Sequence, residues 1–206
     1  MNRRTAFMTA LGLPTLTGCY YSQYFDVTWD EEVKLHDGSV IVVNFKFVHE
    51  RLSRFSKYDR AILRDTTMTF DAGPPYGRVT QTFNRMQPVL LNKYEGEWYA
   101  VIVPRGAGDS PAVSGQDWGP WQNANGQWPL KLVSSAFKTV QIAEFPDAII
   151  SQNLVRNVPP EEMASYDGKR VDLDGAKAML VAKHVLHPDD RVLKKPKSST
   201  SNQTTK

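Results

Sequence analysis

The chain has 206 residues, with 25 Lys and Arg against 22 Asp and Glu, a formal net charge of +3 and one cysteine. That length suits a single domain with a real core, and no internal repeat divides it. The near balance of charge argues against a nucleic-acid partner, and a lone cysteine excludes an intramolecular disulfide.

Arg3 and Arg4 precede an acid-free apolar run over residues 5–16, which closes on small residues ahead of Cys19. This is the three-part plan of an export signal. The run is broken by Gly12 and Pro14 and falls short of the roughly 17 residues that a spanning helix needs. Leu16-Thr17-Gly18-Cys19 resembles the lipobox of bacterial lipoproteins. The resemblance implies that residues 1–18 are a signal peptide, that the Cys19 thiol carries a thioether-linked diacylglycerol, and that the new amine is acylated. At about 0.8 kcal/mol per buried methylene, one acyl chain binds marginally and two or more hold firmly to a membrane. By resemblance to lipoprotein sorting in Gram-negative bacteria, Tyr20 in place of an aspartate after the cysteine favours the periplasmic face of the outer membrane over retention at the inner one. The alternative is an ordinary cleaved signal in which Cys19 is a small apolar residue. Against it stands the hazard of one unpaired thiol in an oxidising compartment.

Residues 19–30 form a membrane-proximal segment, although their aromatic-rich part, residues 20–28, reads equally as a first strand. A single β-rich domain is expected over residues 31–190. Val33 and Leu35 alternate with Lys34 and His36, Asp37-Gly38 intervenes, and Ile41, Val43, Phe45 and Phe47 resume the alternation. This predicts an antiparallel pair over residues 31–36 and 39–49, joined by a type I′ turn with positive φ at both central residues. Residues 50–64, carrying Arg51, Arg54, Lys57, Arg60 and Arg64, read as a connecting excursion. Strands follow over residues 66–70 and 78–83, separated by Asp71-Ala72-Gly73-Pro74-Pro75. Pro88 belongs at a strand start or an edge. Val89-Leu90-Leu91 and residues 98–103 form a further hairpin about Tyr94-Glu95-Gly96, and its second strand, apolar on both faces, is the candidate central strand.

Residues 104–119 form a long loop rich in Gly, Pro, Ser and Asp, the kind that is functional or mobile. Asn125-Gly126 marks another hairpin turn, with strands over residues 130–133 and 137–142. Residues 143–153 suit a short helix, limited by Pro146, and Pro159-Pro160 opens a linker. Asp172 or Asp174 caps a helix running to about His184, with Ala176, Met179, Leu180 and Lys183 at helical spacing. Residues 191–206 hold Arg191, Lys194, Lys195, Lys197 and Lys206 with no acid, and from Pro196 onward they are too polar to offset the entropy of ordering. This end reads as a disordered, solvated basic tail. The fold class expected is mainly β: a single antiparallel sheet or a sandwich with one or two short C-terminal helices.

The opening Trp29-Asp30-Glu31-Glu32-Val33-Lys34-Leu35-His36-Asp37-Gly38 with Val40-Ile41-Val42-Val43 resembles a group of uncharacterised proteobacterial lipoproteins. So does Asn125-Gly126-Gln127-Trp128, followed by a segment that ends in Asn153-Leu154. The likeness covers about half of the chain in patches, and its motifs are those of turns and cores. It implies a lipoprotein of the cell envelope and supplies no activity. Asp117-Trp118-Gly119-Pro120-Trp121 departs from the Arg-Pro-Pro-Tyr that others of the group carry before the second motif.

Candidate chemistry is sparse. Trp118, Trp121 and Trp128 beside a Gly-rich loop could form a stacking platform for a sugar or peptide, set against the commoner role of tryptophan as a core residue. His184 and His187 share a helix face, but Pro188 ends that helix, and the pair reads as partly exposed histidines at a helix terminus, so no metal site is assigned. Glu31-Glu32 and Glu161-Glu162 are adjacent acids that face opposite sides of a strand, with Glu31 expected to face water. No Gly-x-Ser-x-Gly elbow and no Gly-rich phosphate loop occurs, so neither an enzyme nor a cofactor is assigned. The function expected is a structural or protein-interaction module of the envelope, held to the membrane by lipid on Cys19. The alternative is a lipoprotein that binds glycan or peptidoglycan through the region from Trp118 to Trp128.

Overall fold

The computed structural model describes residues 23–51, 61–104, 127–155 and 164–182. The lipobox, Trp118, Trp121, Pro159-Pro160, His184, His187 and the basic tail lie outside the described residues. The fold is mainly β: a five-stranded mixed sheet, a four-stranded antiparallel sheet and one short C-terminal helix.

The first sheet begins with β1 (Gln23–Lys34) and β2 (Val40–Arg51), paired from Gln23↔Arg51 to Lys34↔Val40. The reading of residues 20–28 as a first strand is the one that holds from Gln23 onward. The turn departs from type I′. Gly38 N–H donates to the Leu35 carbonyl at 3.1 Å and Leu35 N–H to Ser39 at 2.8 Å, and of Asp37 and Gly38 only Gly38 has positive φ, +87°. This is a three-residue loop closed by a left-handed glycine. Asp37 stabilises it by accepting both the N–H and the hydroxyl of Ser39, bonds that hold its carboxyl below the usual range. The type I′ requirement is instead met at Glu95-Gly96, with φ of +50° and +83°.

β3 (Ala61–Asp71) and β4 (Arg78–Asn84) complete the antiparallel order β4-β3-β2-β1, so the excursion after β2 is shorter than the charge run suggested. Arg85, with φ +51°, turns the chain from one sheet to the other. In the second sheet β5 (Met86–Tyr94), β6 (Glu97–Pro104), β7 (Trp128–Val133) and β8 (Ala136–Thr139) follow in sequence order. Pro88 sits on the edge strand β5, beside a bulge at Pro88/Leu90. β9 (Lys169–Val171), which no periodicity announced, then pairs in parallel with Trp29–Glu31 of β1.

The sheets pack face to face over a core that includes Trp29, Phe45, Phe47, Phe83, Trp98 and Trp128. The outer face of the second sheet is covered as well, because Phe145, Ile149 and Ile150 pack on Val89, Tyr99 and Val101. This explains why β6, lying between β5 and β7, is apolar on both faces. The covering segment is two 3-10 turns, Ile142–Glu144 and Asp147–Ile149, where a single helix was expected. Pro146 divides them, since it cannot donate the N–H that a continuous helix would use. Helix α1 (Leu173–Ala182) starts at Asp172, whose Oδ1 accepts Gly175 N–H at 2.8 Å, and it packs Ala176 and Met179 on the core. No described helix is long and apolar enough to cross a membrane.

Candidate functional site

In a strand, residues two apart share a face, so Val27, Trp29, Glu31 and Val33 of β1 all point into the core. Glu31 is 0% exposed, which corrects the expectation that it faces water. Its Oε1 accepts the Val155 N–H at 2.8 Å and its Oε2 accepts Trp29 Nε1 at 3.3 Å. Burial pushes its pKa from 4.5 up to about 7, against the two hydrogen bonds, which favour the ionised form. Glu32 does face outward and pairs with Arg170 at 2.7 Å.

Glu31 is one of several polar side chains that fasten the segment 153–155 across the end of the sandwich. Asn153 Nδ2 donates to the carbonyls of Leu91 at 2.7 Å and Lys34 at 3.0 Å, while its Oδ1 accepts Leu91 N–H at 3.0 Å. Leu154 N–H donates to the Val89 carbonyl, and Gln87 Nε2 donates to that of Val155. Together these close the outer edge of β5 and tie it to β1.

Beside this clasp, between the β1–β2 turn and residues 151–153, lies a groove of about 250 Å³. Its walls include Leu35, His36, Asn92, Ile149 and Gln152. Asn92 Oδ1 accepts His36 N–H at 2.7 Å and Lys93 N–H at 3.0 Å, which fixes which end of the carboxamide is oxygen. Gln152 Nε2 donates to the Leu154 carbonyl at 2.8 Å, which fixes its carboxamide in the same way. Gln152 Oε1 is buried with no hydrogen-bond partner. A larger hollow of about 430 Å³ on the outer face of the first sheet is lined by Asn44, Thr69 and Asp71. Three of its polar side chains are engaged, Asn44 with Asp30, Thr69 with Thr80 and Asp71 with the Gly73 N–H, and Arg78 also lines it.

Trp128 is fully buried between the sheets and offers no exposed face for stacking. Among the described residues, no group of three or more His, Cys, Asp or Glu is placed to hold a metal ion. At the opposite end of the first sheet, Glu50 is 6% exposed and forms an ion pair with Arg64. Buried His49, beside it in β2, stacks on Phe25 at 5.2 Å.

No protein-family model, curated protein or solved structure matches this chain. The functional reading therefore rests on its own residues. Of these, Glu31 was within reach of the sequence, because it lies two positions from Trp29 and two from Val33 on a strand whose alternation was evident. Asn92, Gln152 and Asn153 carried no such signal, since their roles depend on partners far away along the chain.

Proposed function

We propose that the chain is a lipid-anchored cell-envelope protein whose β-rich domain acts as an interaction module at the periplasmic face of the outer membrane. The observation that carries this reading is the lipobox Leu16-Thr17-Gly18-Cys19 set directly before β1, which begins at Gln23. Only residues 20–22 intervene, so at about 3.5 Å per residue the first strand starts within roughly 15 Å of the lipidated residue. β1 is 12 residues long and at about 3.3 Å per residue carries the β1–β2 turn roughly 40 Å from that end. The Gln23 end of the sandwich faces the membrane, and the turn end, with the polar groove, is presented away from it.

The test is lipid labelling. Growth with a radiolabelled or alkyne-bearing fatty acid should label the wild-type protein and not a Cys19→Ala variant, and globomycin should cause the full-length precursor to accumulate. Absence of label, with precursor size and membrane fractionation the same for both proteins, sinks the anchor.

A second reading, binding to glycan, draws on the groove and not on Trp128, which lies in the core.

A further inference from the structure

We infer that β4 is a docking edge, which takes an extended segment of a partner protein as an added antiparallel strand. The direction of its backbone groups follows from the ladder. Ala72 N–H donates to the Gly77 carbonyl at 2.8 Å and Arg85 N–H to the Arg64 carbonyl at 2.7 Å, so residues 77 and 85 point at β3 and its turn. The β3–β4 register runs between them without a shift, and in an antiparallel ladder alternate residues point the same way. Val79, Gln81 and Phe83 therefore bond towards β3, and the N–H and carbonyl groups of Arg78, Thr80, Thr82 and Asn84 point away from it. β4 is the last strand on that side of the sheet. Among the described residues, only Gln81 Nε2 bonds to any of these outward groups. It donates to the Thr82 carbonyl at 3.2 Å, and a carbonyl has a second lone pair to offer.

Open edges are templates for another chain, and proteins blunt them with proline, lysine, bulges, short strands or a covering segment. The other edges here carry such devices. β5 has Pro88, a bulge and the clasp of residues 153–155. β8 is four residues long, and Gln81 Oε1 takes its Phe137 N–H at 3.3 Å. β9 is three residues long. β4 runs for seven with no proline, lysine or bulge. Its side chains set the occupant. The Arg78 side chain is exposed beside the 430 Å³ hollow and makes no hydrogen bond or ion pair with a described residue. It is open to an acidic side chain on the added strand, as Thr80 and Thr82 are to β-branched ones, and such cross-strand pairs stabilise sheets. A second copy of this chain is excluded as the occupant by orientation. Antiparallel pairing through β4 would put its Gln23 end at the opposite pole, whereas both lipid anchors belong in one membrane. That exclusion rests on the proposed anchoring; the open edge does not.

The test uses the full chain in detergent and a capped synthetic peptide, Asp-Ser-Thr-Ala-Thr-Ser-Asp. Its alternate positions repeat the Asp65, Thr67, Thr69 and Asp71 that β4 meets on its paired side. In NMR titrations the peptide should protect the N–H groups of Arg78, Thr80, Thr82 and Asn84 from hydrogen exchange. N-methylation of its two threonines removes donors that face β4 and should weaken binding at least tenfold. N-methylation of its two serines, whose N–H groups face away, should weaken it less than threefold. Thr80→Pro removes an outward N–H without touching a bond to β3 and should abolish binding in a chain that still unfolds cooperatively. Arg78→Glu should reverse the charge preference, so that a peptide with lysine in place of aspartate binds the more tightly. No protection of β4, equal loss from the two N-methylated peptides, or an unchanged charge preference in Arg78→Glu overturns the inference. Protection of the same amides that grows with protein concentration in the absence of peptide overturns it in favour of a second copy. A Cys19→Ala chain should bind the peptide as the wild type does, so failure of the anchor and failure of the edge give different results.

Discussion

The Glu31 carboxylate accepts the Val155 backbone N–H at 2.8 Å and so joins β1 to a segment 124 positions later in the chain. A neutral side chain could make a similar bond without the penalty of burying a charge, so the use of a carboxyl here makes the clasp sensitive to pH. The unfolded carboxyl titrates near 4.5 and the folded one near 7. Below both values the group is neutral in each state and imposes nothing. Between them the unfolded chain releases a proton that the folded chain keeps, so stability falls as pH rises, and above about 7 the loss is complete. The full interval corresponds to about 3 kcal/mol.

Glu31→Gln removes that titration. Relative to wild type, the variant should gain about 3 kcal/mol between pH 4 and pH 8, whatever constant it loses from rearranging the bond to Trp29. Urea unfolding of both proteins at several pH values reads the difference directly, and parallel stability curves would show that folding leaves the Glu31 pKa unchanged.

Asn153 spends its whole carboxamide on backbone, with three hydrogen bonds to Leu91 and Lys34. Asn153→Ala leaves the Leu91 N–H and carbonyl without these partners, and each unmade bond at a buried site costs about 1–3 kcal/mol. We expect a total loss of about 2–4 kcal/mol in denaturant unfolding, with Asn153→Asp close behind because it keeps the acceptor and loses both donors. A loss under about 0.5 kcal/mol for the alanine variant would mean that water replaces the side chain and that the clasp is not held by Asn153.

What could be read from the sequence was local. The turn at Asp37-Gly38, the hairpin about Glu95-Gly96, the edge position of Pro88 and the cap at Asp172 each depend on a few neighbouring residues, and each is present in the fold. β6 was legible as a central strand because burial on two faces leaves an unbroken apolar run. Of the failures, that at Glu31 went against a local signal, and the others have non-local causes. Glu31 was assigned to water by residue type, although its alternation with Trp29 and Val33 placed it inward. β9 is three residues long and owes its pairing to β1, more than 130 positions away, as the bond from Gly168 N–H to the Thr28 carbonyl shows. The groove could not be read at all, since Asn92 and Gln152 are brought together only when both sheets and the 3-10 turns are in place.

Asp172 tests how firmly α1 is tied to the sheets. Its side chain accepts Gly175 N–H, one of the donors that a helix start leaves unpaired. Asp172→Ala should cost about 1 kcal/mol, a fall in melting temperature of about 2–4 °C for a domain of this size, while Asp172→Asn should stay near wild type. If asparagine proves as damaging as alanine, the charge rather than the cap holds the helix.

Trp128 separates core packing from ligand stacking. Its ring is fully buried between the sheets, and its Nε1 is buried without a hydrogen-bond partner. Trp128→Ala should therefore cost about 3–5 kcal/mol, the range for emptying a large aromatic site in a core. Trp128→Phe keeps most of the apolar contact and removes an unpaired N–H, so the smaller ring's cavity and the relieved polar burial act in opposite directions. A loss of under about 2 kcal/mol is expected for phenylalanine. A stacking role would reverse the pattern: either substitution would abolish sugar binding while thermal unfolding stayed at the wild-type temperature.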